Sequence, residues 1–95
     1  MIKDEGDSKL YEAFLSLKTV DECKKFLKDL CTVKELQTIE QRFDVATLLD
    51  KGMIYNDILE KTGASSATIS RVNRSLQYGD GGYAIVFPRI FGKER

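Results

Sequence analysis

The pattern T-x-x-E occurs twice, pairing Thr19 with Glu22 and Thr32 with Glu35. In such a capping box the two side chains satisfy orphan backbone N–H groups reciprocally, so each box marks the first turn of a helix. Apolar residues follow both boxes at helical spacing. After the first come Cys23, Phe26, Leu27 and Leu30, with Lys24, Lys25 and Lys28 on the opposite, solvated face. After the second, Leu36, Ile39, Phe43, Ala46 and Leu49 form one stripe, with Val45 and Leu48 beside it. A surface this wide suits a central helix packed on two sides. Gly52 supplies the left-handed residue that ends it, which predicts a long helix over 33–51. Upstream, Ser8 is an N-cap candidate for a helix carrying Leu10, Tyr11, Phe14, Leu15 and Leu17; residues 1–7 are polar and expected to fray. No strand alternation precedes residue 82, and there is no internal repeat. With a single proline, these pieces predict an all-α chain forming one domain over 1–95.

Composition narrows the function. The 95 residues are 42% hydrophobic and 32% charged, which excludes a disordered chain. A chain this short cannot cover its own apolar surface, so a second subunit is expected. The formal net charge is zero, which excludes a uniformly basic nucleic-acid binder. Residues 1–60 hold 9 Lys+Arg against 13 Asp+Glu, while residues 61–95 hold 6 against 2. An anionic partner would therefore meet the C-terminal part, although chance placement yields such asymmetry too. Histidine is absent, which removes the commonest general base and the commonest metal ligand. Cys23 and Cys31 lack both a CxxC motif and a histidine neighbour, so neither a zinc set nor a disulfide framework is expected. Both thiols are expected to be reduced and packed in the core. The opening MIKDEGDSKL has no apolar signal core. No apolar run approaches the ~20 residues of a membrane span. The expectation is a soluble, cytoplasmic protein with no membrane partner.

Residues 55–77 carry the functional signal, in YNDILEKTGASSATISRVNRSL and its continuation. Ile58 and Leu59 are the apolar pair of a short helix that ends at Gly63. Ala64 follows, and Ser65 caps a second helix with Ile69, Val72 and Leu76 on its buried stripe. This is the order of a helix-turn-helix, whose second helix, here 66–77, enters a DNA major groove. Leu59 departs from the pattern, since such motifs usually carry alanine there. An αα-hairpin inside a bundle would share the helix–glycine–helix skeleton. The outward residues discriminate further. Ser65, Ser66, Ala67, Thr68, Ser70, Arg71 and Arg74 are the candidate DNA-binding residues. The small ones allow close backbone approach, and the helix N-terminus favours an anion. Arg71 has the chemistry to read a guanine edge or clamp a phosphate, and Arg74 suits a phosphate. The alternative for both is solvation, or pairing with an acid such as Asp80.

LCTVKELQTIEQRF, VATLLDKGM and GASSATISRVNRSL resemble the Trp repressor superfamily, most of all its small YerC/YecD-type members. The resemblance covers residues 30–76. It implies an intertwined, all-helical homodimer with two helix-turn-helix units, double-stranded DNA as partner, and a role in transcription regulation. It also implies base contacts carried largely through water, which suits the short Ser66, Ala67 and Ser70. In the family an indole ring lies between two arginines. Arg71 matches the one on the recognition helix. Arg42 matches the other only with a one-residue gap near Lys51 and Gly52; without the gap the position holds Gln41. The family's second turn glycine is Ser65 here, and the bulky residue after it is Ser66. Arg42 and Arg71 therefore stand as a candidate effector pair, but L-tryptophan corepression, and any other cofactor, is not expected.

Beyond the motif, Gly79, Asp80, Gly81 and Gly82 break the recognition helix. Tyr83, Ile85, Val86, Phe87, Ile90 and Phe91 are densely apolar, expected to pack on the N-terminal helices or across a dimer. Pro88 predicts one short, turn-rich helix there. The leading function is a sequence-specific transcriptional regulator, a repressor, that reads the major groove. The alternative is an adaptor that uses the same scaffold without touching DNA. An enzyme is a distant third: the sequence has no phosphate loop and no nucleophile–base spacing, and Glu35, Glu40 and Asp44 read as helical surface carboxylates.

Overall fold

The computed structural model describes residues 8–92. The expectation for residues 1–7 lies outside them. The described chain has six helices and no strand: α1 (Leu10–Ser16), α2 (Val20–Leu30), α3 (Val33–Asp50), α4 (Tyr55–Thr62), α5 (Ser66–Tyr78) and α6 (Gly82–Phe91). The all-α expectation holds. Among the described residues no helix is long and apolar enough to cross a membrane. The chain divides into two compact units at Leu36 and Gln37, inside α3.

The first unit is built from local signals. Lys9, not Ser8, is the N-cap of α1, although the Leu10 amide still donates to Ser8 Oγ at 3.1 Å. The first capping box is half-formed as expected. The Glu22 amide donates to Thr19 Oγ1 at 3.0 Å, but Glu22 Oε1 accepts from the Lys18 amide, one residue early, at 2.9 Å. At α3 the box is complete: the Glu35 amide donates to Thr32 Oγ1 and the Thr32 amide to Glu35 Oε1, at 3.0 and 2.8 Å. Such a cap contributes about 1 kcal/mol. Phe14 and Phe26 meet edge to face with centroids 5.5 Å apart. No described residue before Val45 is buried. Cys23 and Cys31 are free thiols and only half-buried, which corrects their expected place in a core. The apolar stripe of α3 is likewise not buried along its whole length, since Ile39 is exposed.

The second unit holds the core. Val45 and Ala46 of α3, Ile58 of α4, Ala64 of the turn, Ile69 and Val72 of α5 and Phe87 of α6 are its buried residues. Full burial of each larger aliphatic or aromatic side chain is worth about 1.5–3 kcal/mol. Gly52 ends α3 with φ +91°, as its position predicted. At the other end, the short helix expected of the tail forms as α6, regular where a turn-rich one was expected. It is a regular ten-residue helix with Pro88 inside it. Tyr83, Phe87 and Phe91 recur every four residues and form a ladder on one face, with centroids 5.4 and 5.6 Å apart. Phe43 of α3 packs on Phe87 at 5.7 Å, and Lys51 Nζ lies 5.7 Å from the centre of the Phe91 ring. Burying this face offsets the backbone bond that proline lacks. The aromatic part of the tail thus packs on α3 within its own unit, while Ile85, Val86 and Ile90 stay exposed.

Candidate nucleic-acid interface

Four local bonds and one from α3 fix how α4 hands over to α5. Gly63 has φ +76° and ends α4, with its amide donating to the Leu59 carbonyl. A Cβ there would meet nothing within 4 Å, so the glycine is needed for its backbone angle and not for space. The Thr62 hydroxyl donates to the Ile58 carbonyl at 2.7 Å and accepts from the Ala64 amide at 3.1 Å. Gln41 Nε2 donates to the Thr62 carbonyl at 3.2 Å, tying the end of α4 to α3. Ser65 Oγ accepts from the Thr68 amide at 3.1 Å and starts α5. The small residue at the crossing is Ala64, 2% exposed, whereas Leu59 is 42% exposed. A leucine in place of the usual alanine is tolerated because it leaves the crossing.

Burial then sorts the faces of α5. Ile69 and Val72 are fully buried and Leu76 half-buried, as the stripe predicted. Ser65, Ser66, Ala67, Ser70, Arg71 and Arg74 are exposed. Thr68 is half-buried, with its hydroxyl 3.2 Å from Ser65 Oγ, so it serves the cap. No acidic residue lies on α5. The ion pairs among the described residues join Lys9 to Glu12 and Lys25 to Asp21, so Arg71 and Arg74 pair with neither Asp80 nor another acid. No three of Cys, Asp and Glu come together as a metal site among the described residues.

A groove of about 540 Å³ runs along this face, lined by Tyr55 from α4 and by Ser70, Arg71, Asn73, Arg74, Gln77 and Tyr78 from α5. A smaller one of about 350 Å³ adjoins it, lined by Arg71, Arg74, Ser75, Tyr78 and Gly79. Neither includes Arg42, which is half-buried on α3, or any other residue of that helix. Tyr55, Gln77 and Tyr78 were not marked by the sequence pattern. Tyr55 and Arg74 stand 19 positions apart, and no local spacing announces their meeting. It depends on how the turn folds α4 against α5.

The Trp repressor protein family model matches residues 6–90. The uncharacterized protein YerC of Bacillus subtilis (strain 168) is 47% identical over 81 residues, which span 85% of this chain and 78% of that protein. A solved TrpR-like protein from Eubacterium eligens ATCC 27750 is 50% identical with a TM-score of 0.88, covering 98% of this chain and 96% of its own. A Trp-repressor relative from Staphylococcus aureus is 40% identical, also with a TM-score of 0.88, covering 98% and 93%. The match runs through the capped long helix, the Gly63 turn and α5 alike, and the chain belongs to the Trp repressor family.

Proposed function

We propose that the protein is a sequence-specific DNA-binding transcriptional regulator, a repressor that acts as a homodimer and has no catalytic activity. The observation that carries this reading is the outer face of α5. It begins with small exposed residues, Ser66, Ala67 and Ser70, and continues with two exposed arginines that have no acidic partner among the described residues. Small side chains let the helix backbone approach base edges, directly or through water. The start of α5 presents a positive dipole end to the phosphates. The family membership supports the same reading. The experiment is recovery of bound genomic fragments at moderate salt, followed by anisotropy titration of the recovered site against a random duplex. The expected result is a preference for the recovered site and affinity that falls linearly with log salt. Binding of neither duplex at low salt by a folded protein would move the weight to an adaptor that meets another protein through this face.

A further inference from the structure

The two grooves on the outer face of α5 share Arg71, Arg74 and Tyr78. Together they make one shallow trough. It begins at Tyr55 on α4, crosses the second half of α5 and leaves past Gly79. Its shape decides what it can hold. A small ligand needs a concave pocket that covers most of its surface. An open trough covers little of a small molecule but fits a polymer that runs through it. Its charge points the same way, with two arginines and no acid in the lining. The lining donors are also free for a partner: among the described residues the side chains of Tyr55, Arg71, Arg74, Gln77 and Tyr78 make no hydrogen bond or ion pair within the chain.

We infer that this trough seats one sugar–phosphate strand of the duplex, gripped from α4 by the Tyr55 hydroxyl and from α5 by the Arg74 guanidinium. The inference rests on the DNA-binding reading and adds a residue and a role to it. Phosphate contacts carry no sequence information but fix register and orientation. A strand held from two helices at once fixes the angle at which α5 enters the major groove. Tyr55 is then a positioning residue for base reading at Ser66, Ala67 and Ser70.

Charge separates the two grips. Tyr55 is neutral and releases no counterion, whereas Arg74 neutralises a phosphate. The experiment measures full-length wild type, Tyr55→Phe and Arg74→Ala on the recovered site and on a random duplex over a range of salt. Helical circular dichroism and melting confirm each fold; Tyr55→Phe keeps the ring and its packing. Tyr55→Phe is expected to lower affinity roughly tenfold on both duplexes with the salt slope unchanged, as for one lost hydrogen bond to a charged group. Arg74→Ala is expected to weaken both and to make the slope shallower by about 0.9. Wild-type affinity and slope in both variants would overturn the trough while leaving DNA binding intact. Failure of wild type to bind any duplex would overturn DNA binding and the trough with it. Submillimolar binding of a free mononucleotide that Tyr55→Phe abolishes would also overturn the inference, in favour of a small-ligand pocket.

Discussion

Arg71 lies two residues beyond Ile69 and one before Val72, and both neighbours are fully buried, so its side chain leaves α5 on the open side. On the proposed function it would reach either a base edge or a phosphate from there. Arg71→Ala is expected to weaken specific DNA binding by about 1–3 kcal/mol if it reads a base, with relaxed preference at one position. If it holds a phosphate instead, all sequences weaken together and the salt slope falls by roughly one. Lys25 provides the control, since it is held by Asp21 at 3.1 Å on α2. Titrating both alanine variants against specific and random duplexes separates the cases, and equal small losses would remove Arg71 from the interface. The same residue bears on the effector question. An indole between two arginines needs both in one pocket, yet Arg42 meets the family position only with a one-residue gap, and Ser65 and Ser66 stand where the family has a glycine and a bulky residue. Free L-tryptophan is therefore expected not to bind at micromolar concentration. A micromolar Kd by calorimetry, lost in Arg71→Ala, would restore Arg42 and Arg71 as its ligands.

Helix ends were legible at the level of elements because caps are local. A threonine and a glutamate three residues on, or a serine before an apolar repeat, satisfy backbone groups within one turn. That is why α3 and α5 start where their boxes and caps place them. The bond that closes the first box one residue early, at Lys18, shows the tolerance of such signals. At α6 a short helix was expected, but its regular course through Pro88 was not. Proline is rightly read as a helix breaker from local chemistry, but the ladder of Tyr83, Phe87 and Phe91 is a tertiary contribution that local chemistry omits. A test follows from this balance. Pro88 is exposed and sits past the middle of α6, where it leaves the Ala84 carbonyl without its usual donor. Pro88→Ala is expected to stabilise the fold by about 1–2 kcal/mol, less than the full helix-propensity difference because proline also restricts the unfolded chain. A melting temperature at or below that of wild type would show that α6 is shaped around the ring.

The whole chain leaves a large apolar area uncovered. In the first unit Leu10, Tyr11, Phe14, Leu15, Val20 and Leu30 are exposed, and none of its described residues is buried. In the second, Ile85, Val86 and Ile90 form an open face on α6. A chain this short that leaves so many large apolar side chains in water is expected to cover them with a partner. A homodimer in which the first unit finds its core against a second copy would account for this, and on the proposed function it would bring two helices α5 to one duplex. Light scattering at micromolar concentration is expected to give about twice the 10.8 kDa of one chain. Unfolding should shift to higher temperature as concentration rises. A stable, folded monomer under those conditions would sink the dimer.

The helical class, the long α3, the turn at Gly63 and the buried stripe of Ile69 and Val72 all follow from residues within a turn or two of one another, so reading along the chain suffices for them. The open face of α5 follows too, because a helix with one side buried must turn the other outward. Three features required the folded chain. The thiols of Cys23 and Cys31 are only half-buried because none of the first unit's described residues is buried. Pro88 stays inside a helix because distant Phe43 packs on Phe87. Tyr55 joins Arg71 and Arg74 in a groove because the left-handed turn folds the start of α4 against the second half of α5. Each depends on contacts between residues far apart in the chain, and helical periodicity carries no information about those.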